Sequence, residues 1–379
     1  INWRTIPNVA RYFFCSHDGF GLGHVRRNTL IAEALLSVEP QADIAILTGV
    51  ATQPSWLQND RFTVYNVPPL LKGADGSYRG SNMSFERALT LRAEVFCRAV
   101  TTWRPDVIVI DRHPYGTAGE LRAGLGVAKQ QGAAVVLGLR DVLDEPGAIR
   151  TELTGPGWAD VPQIFDDVLV YGERHLCDHE AEYGLPVHPT YCGWVAGKAD
   201  QSEIDEQLVV VTAGGGGDGA DVYRLGADML RHLPGRRAVF VAGPYASDPA
   251  AASWAADAAL RQRIEVVANA PGCTGLFARA GAVVQMAGYN STVEALAAGH
   301  RPVLVPRRSP RREQAIRASR LASLGLADVV DEGAAGDEAA WLVARSHRLP
   351  KGALAAAGLR FDGASTAAER LRTLVSVAA

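Results

Sequence analysis

Short apolar runs alternate with stretches of helical spacing along the whole chain, and the series runs twice. Each time it restarts with a strand that leads into a glycine-rich turn. This alternation specifies parallel strands joined by covering helices, because a parallel pair needs a long crossover. In the first series the predicted strands are 9–15, 43–48, 64–67, 107–111, 134–138 and 167–171, with helices over 23–37, 84–102 and 117–131. In the second they are 208–212, 238–242, 264–267, 282–285 and 302–305, with helices over 221–233, 250–261, 291–299 and 313–324. Between the two, Gly193–Gln207 is polar and lacks strand alternation. The expected architecture is α/β, two Rossmann-like domains facing across a cleft. The first covers residues 1–195 and the second 205–363, and the alanine-rich stretch 364–379 forms a helix that returns to the first domain. A length of 379 residues with 47% hydrophobic content suits two cores.

The remaining composition excludes more than it selects. A net charge of −3 gives no reason to expect a nucleic-acid partner. Five cysteines with no C-x-x-C spacing argue against a disulfide framework and suit a reducing, cytoplasmic setting. No apolar run approaches the ~18 residues of a membrane span, and no signal sequence is read at the N-terminus. Peripheral membrane contact stays open.

Three segments carry chemistry. The first, Ser16–His24, holds Gly19, Gly21 and Gly23 directly after a strand and opens a helix. Glycines admit a close ligand, and the helix start offers free N–H groups and partial positive charge. The spacing G-x-G-x-G is not the dinucleotide fingerprint, and Thr48 and Gly49 stand where an acidic ribose ligand would, so NAD is disfavoured. A plain strand-to-helix turn is the bland alternative. The second, Thr212–Ala220, packs five glycines into six residues (Gly214, Gly215, Gly216, Gly217, Gly219) and points to backbone approach to phosphate. It lacks the Gly-Lys-Ser/Thr ending of an ATPase loop. The third, Ala287–Gly299, offers Asn290 or Ser291 as a helix cap, with amides through Thr292 aimed at a diphosphate. Glu294, read as a first-turn residue, either accepts both ribose hydroxyls or only complements the helix dipole.

These residues resemble the glycosyltransferases with two facing Rossmann-like domains, the GT-B fold, and are similar to the MurG-type family and its natural-product relatives. The likeness is strongest over 208–330. It implies that the first domain binds the acceptor and the second the sugar nucleotide. The family's Gly-Gly-Ser-Gln-Gly-Ala loop corresponds to Gly215-Gly216-Gly217-Asp218-Gly219-Ala220, with the serine and glutamine absent. Glu294 matches the ribose-binding glutamate. Glu313-Gln314 matches a pair that grips sugar hydroxyls, and Val267 lies where the base is held. Gly23-His24 matches the Gly-His that ends the first loop.

Inverting transfer needs a base to deprotonate the acceptor hydroxyl. A histidine suits that task, since imidazole titrates near neutrality. His24 is the candidate, and Asp111, ending a strand at the same sheet edge, is the carboxylate to orient it. Gly21, Gly23, Arg140 and Asp141 are candidate acceptor contacts, although Arg140-Asp141 also reads as an internal ion pair. No Asp-x-Asp occurs, so no metal or other cofactor is expected, and helix amides would stabilise the leaving diphosphate. Seven arginines between 301 and 320 read mostly as a solvated helix face. His175 and His179, with Cys177 and Glu180, have helical spacing for metal ligands but no second cluster, so a zinc site is disfavoured. The resulting expectation is an inverting, metal-independent glycosyltransferase. It moves a hexose or N-acetylhexosamine from a nucleotide diphosphate sugar to a small natural product or, second, a lipid-linked acceptor. A UDP-N-acetylglucosamine 2-epimerase-like isomerase and a non-catalytic sugar-nucleotide binder are the alternatives.

Overall fold

The computed structural model describes residues 9–16, 22–50, 54–72, 78–197, 202–214, 219–243, 253–268, 273–331, 333–345 and 348–378. The first series runs β1 (Arg11–Cys15), α1 (Gly23–Val38), β2 (Asp43–Thr48), β3 (Phe62–Asn66), a hairpin of β4 (Leu70–Lys72) and β5 (Tyr78–Gly80), α2 (Phe85–Trp103), β6 (Val107–Asp111), α3 (Arg122–Gln130) and β7 (Ala134–Arg140). It ends with α4 (Pro146–Leu153), α5 (Val161–Ile164), β8 (Asp167–Tyr171), α6 (His179–Tyr183) and β9 (Thr190–Tyr191). The second runs β10 (Asp205–Thr212), α7 (Ala220–Arg231), β11 (Arg237–Ala242), α8 (Ala258–Arg261), β12 (Ile264–Ala268), α9 (Thr274–Arg279) and β13 (Ala280–Gln285). Then come α10 (Tyr289–Ala297), β14 (Val303–Leu304), α11 (Glu313–Ser323), β15 (Asp328–Val329), α12 (Gly336–Arg345), α13 (Ala353–Ala356) and α14 (Gly363–Ala378).

The first sheet is ordered β3-β2-β1-β6-β7-β8-β9 and the second β12-β11-β10-β13-β14-β15, and every pair in both is parallel. Both orders are the doubly wound pattern. In each, the connections run one way from the first strand and then reverse, which opens a crevice at the carboxyl ends beside that strand. The crevice lies between β1 and β6 in the first domain and between β10 and β13 in the second. Interior strands such as Val107-Ile108-Val109-Ile110 are buried on both faces, as continuous apolar runs require.

Two predicted elements differ in extent. The helix expected from Thr117 begins at Arg122, because Gly116 and Gly119 take φ of +84° and +88° and turn the chain first. The helix expected over 250–261 is, among its described residues, a 3₁₀ turn at Ser253–Ala256 and then α8. Asp257 separates them, its carboxylate accepting from the amides of Ala259 and Leu260.

One apolar cluster crosses the boundary. It joins Phe14, Val25 and Tyr171 of the first domain to Ala287, Tyr289, Val293 and Leu304 of the second, and to Ala367, Ala368 and Leu371 of α14. Helix α14 lies along α1 and reaches β6 and β7. Arg370 pairs with Asp167 at 2.5 Å, and Arg372 with Glu39 at 3.8 Å.

Candidate active site

The crevice of the first domain receives residues from α1 and from the end of β6. Parallel register sets Cys15, the last residue of β1, beside Ile110. The helix that follows β1 therefore starts next to Asp111. His24 Nδ1 lies 3.0 Å from Asp111 Oδ2. Asp111 is 1% exposed, and Arg27, one turn beyond His24, reaches both of its oxygens at 2.7 and 2.6 Å. Burial alone would raise the Asp111 pKa. The charge of Arg27, then His24 and the hydrogen bonds of both, overrides it and holds the carboxyl well below its usual range. Asp111 is thus a fixed anion that can hold a proton on Nδ1, which leaves Nε2 as the basic nitrogen.

The next residue, Arg112, has φ +71°, which costs on the order of 1–2 kcal/mol for a residue with a Cβ. Its guanidinium grips Glu152 through two bonds of 2.9 Å, and its amide donates to Gly138 O at 2.8 Å.

The second crevice abuts the first. Asn290 Nδ2 donates to Gly23 O at 3.0 Å, so the starts of α10 and α1 touch. Tyr289 is buried between them, its ring 5.3 Å from the Arg27 guanidinium and 5.8 Å from that of Arg317, and its hydroxyl accepts from the Val195 amide at 3.1 Å. Arg317 donates to Asp141 at 2.7 and 2.6 Å and to Ala287 O at 2.7 Å. Both members of that ion pair are 2% exposed.

Glu294 is buried, and its Oε2 accepts from the Cys273 amide at 3.2 Å. Burial raises its pKa, and the nearby charge of Arg26 and that amide oppose the rise. Arg26 comes from α1, so each domain contributes to the surroundings of this carboxylate. Its guanidinium lies 5.2 Å from the Trp56 ring. Glu313 pairs with Arg307 at 2.9 Å, and Gln314 accepts from the Arg307 amide at 3.3 Å. Val267 is half-buried in the edge strand β12, paired with Val241.

Several expectations change. Gly288, not Asn290 or Ser291, is the N-cap of α10. Asn290 spends its side chain on the other domain, and Ser291 turns back to Gly288 O at 3.3 Å. Glu294 is the sixth residue of α10 and so lies in its second turn, where a dipole effect has faded. Thr292 points inward, with its amide bonded to Gly288 O at 3.0 Å and its hydroxyl buried without a partner. Its amide is therefore already spent within the helix.

Gly219 caps α7, and a Cβ there would lie 2.1 Å from the Cβ of Ala213, so helix packing already requires this glycine. A Cβ at Gly23 would lie 3.4 Å from Asn290 Nδ2. Asp141 is consumed by Arg317, which removes it from the acceptor contacts. Gly21, Gly215, Gly216 and Gly217 lie outside the described residues.

Of the seven arginines of 301–320, Arg308 and Arg312 are exposed, as a solvated face would be, and Arg317 is buried. Each of the seven has a carboxylate partner, and Arg311, Arg312, Arg317 and Arg320 reach Asp144, Glu145, Asp141 and Glu182 of the first domain. His175 lies before α6, whereas His179 opens it. Their nitrogens meet backbone oxygens of Ala357, Cys177 and Arg140, so the pair makes no shared ligand set.

Sequence reasoning missed Arg27 and passed over Arg317 and Tyr289 as contributors. Helical spacing held a signal, since Arg27 follows His24 by three residues and Arg317 follows Glu313 by four.

Two outcomes test these assignments. Glu294→Gln keeps an acceptor for the Cys273 amide and removes a buried charge. A raised native pKa means that the wild type loses stability as pH climbs from the ordinary carboxylate range through that raised value. The variant should therefore gain about 0.5–2 kcal/mol at pH 7. The gain should vanish below about pH 4, as followed by thermal melts across pH. Thr292→Val should stabilise the fold by up to about 1 kcal/mol, since it removes an unpaired buried hydroxyl. Calorimetry should find its nucleotide affinity unaltered.

No family model and no curated protein matches the chain. Solved structures do. MurG of Acinetobacter baumannii aligns over 98% of this chain and 99% of its own, with 14% identity and a TM-score of 0.57. A Polygonum tinctorium UDP-glucosyltransferase capable of glucosylating indoxyl covers 99% of both chains, with 14% identity and a TM-score of 0.64. The glycosyltransferase SnogD of Streptomyces nogalater covers 97% and 96%, with 17% identity and a TM-score of 0.58. This chain therefore has the GT-B fold, the two-domain architecture of MurG and the UDP-glycosyltransferases.

Proposed function

We propose that the chain transfers a sugar from a nucleotide diphosphate donor to an acceptor hydroxyl, with inversion and without a metal. The observation that carries this reading is the His24–Asp111 contact of 3.0 Å, set where the starts of α1 and α10 meet. The acceptor oxygen gives its proton to His24 Nε2 and attacks the anomeric carbon from the face opposite the diphosphate. The bond from that carbon to the phosphate oxygen breaks in the same displacement, so the configuration inverts. Asp111 stabilises the imidazolium that forms. The absence of an Asp-x-Asp sequence supports stabilisation of the leaving diphosphate by helix-start amides instead of a cation. Glu294, at the second crevice, suits the two hydroxyls of a ribose. We take a small molecule as the acceptor and a lipid-linked one as the second choice.

Calorimetry with UDP, dTDP and GDP tests the donor half. One of them should bind, and Glu294→Ala should weaken it by at least tenfold. Uptake of none of the three, or unchanged uptake by the variant, would overturn the reading.

A further inference from the structure

Among the described residues, the ion pairs around the His24–Asp111 contact leave Arg140 out. Arg27 pairs with Asp111, Arg112 with Glu152, Arg307 with Glu313 and Arg317 with Asp141. Arg140 ends β7 in their midst. Asp111 is in register with Gly138 two residues earlier on the same strand, so Arg140 lies at the carboxyl edge beside the His24–Asp111 pair. Among the described residues its guanidinium makes no ion pair or hydrogen bond, and its Nε is buried. Its neighbours bring more positive charge. Burial first, then Arg317, Arg112 and Arg27, push its pKa down to about 10, and Glu313 alone among the main influences opposes them. At that value it still carries its charge at neutral pH.

Its backbone is well fixed. Arg140 O meets His179 Nε2 at 2.9 Å, and the strand pairs with Tyr171 of β8.

Arg140 is half-buried, but a guanidinium Nε cut off from water with no partner is costly, and native proteins rarely keep one without a ligand to match it. The fork of a guanidinium fits carboxylate and phosphate oxygens in a two-point bond. It belongs to the first domain, on the side of the base that takes the acceptor's proton. We infer that Arg140 binds a carboxylate or phosphate carried by the acceptor, so that the acceptor is an anionic molecule. This rests on the transferase reading and narrows its substrate class. Glu313 shapes the same site from the other domain. Its Oε2 is buried without a partner, and its charge reaches Arg140. It therefore weakens any anion that Arg140 holds.

Inorganic phosphate is the probe, titrated by calorimetry into the chain saturated with UDP so that the diphosphate site is filled. The wild type should take up one phosphate per chain. Arg140→Met should weaken that uptake at least tenfold, Arg140→Lys should weaken it less, and Glu313→Gln should tighten it. A purely structural Arg140 would not produce that opposite response. Equal uptake by wild type and Arg140→Met, or no uptake by the wild type, overturns the inference. UDP uptake is read first on its own. If UDP binds and phosphate does not, only the anionic acceptor is lost. If phosphate binds in an Arg140-dependent way while no nucleotide binds, the donor reading fails and the anion site remains. A comparison of UDP-glucuronate with UDP-glucose separates the two carriers of the charge. A preference for the glucuronate that Arg140→Met abolishes would assign the anion to the donor sugar and overturn its assignment to the acceptor.

Discussion

Replacing His24 with alanine is expected to lower kcat by about 10²–10⁴-fold while nucleotide affinity stays within about twofold of wild type. The separation follows from placement. His24 sits on α1 with its Nδ1 on Asp111, whereas Glu294 sits on α10 and answers to Cys273 and Arg26. Turnover with a donor–acceptor pair, set beside calorimetry with the nucleotide alone, reads both quantities. Retention of full turnover would end the assignment of His24 as base. Loss of nucleotide binding in parallel with turnover would make it a donor contact instead.

Asp111 sharpens the test. Its pKa is held below the usual carboxylate range, so its ionised form adds stability that is complete above about pH 4 and fades only as pH falls further. It therefore contributes no step to a pH–rate profile in the physiological range. Arg27→Met removes the main charge that keeps Asp111 ionised. It should move the acid limit of that profile upward with little change in KM. Arg27 acts through Asp111 and is a positioning residue.

The strand pattern was legible because buried parallel strands are continuous apolar runs. Asp43–Thr48, Val107–Asp111 and Asp167–Tyr171 occupy the predicted spans. The hairpin β4–β5, the two-residue strands β9 and β15 and the short helices α5, α8 and α9 carry too few residues to show a period. The His24–Asp111 contact was foreseeable, since doubly wound order sends the first and fourth strands to one crevice. The pairing of the arginines from 301 to 320 with the first domain was not legible, for a physical reason. Composition shows that a helix is charged, but it does not show which acids the other domain will place opposite. Arg317 is four residues after Glu313 on a face that looks polar, yet it is among the largest fully buried side chains. Thr292 shows the converse. It stands in a segment of functional type, but helical geometry turns it into the core.

The Arg317–Asp141 pair carries the largest expected effect on stability. Asp141→Ala should cost about 3–5 kcal/mol, because it leaves a guanidinium buried beside Tyr289 with only Ala287 O to bind. Chemical denaturation measures this, with Arg320→Ala as the control. Arg320 pairs with Glu182 across the same boundary but is partly exposed, so its loss should cost under about 1 kcal/mol. Replacing both charges, with Asp141→Leu and Arg317→Met together, should restore most of the lost stability, since no charge is then stranded. The double change should still impair turnover, because Arg317 also packs against the Tyr289 ring, which Arg27 approaches as well. Stability and activity would then part company: the apolar pair would hold the domains together while the geometry around Asp111 loosens. A cost for Asp141→Ala no greater than that of the Arg320 control would mean that the domains are held by their shared apolar cluster alone.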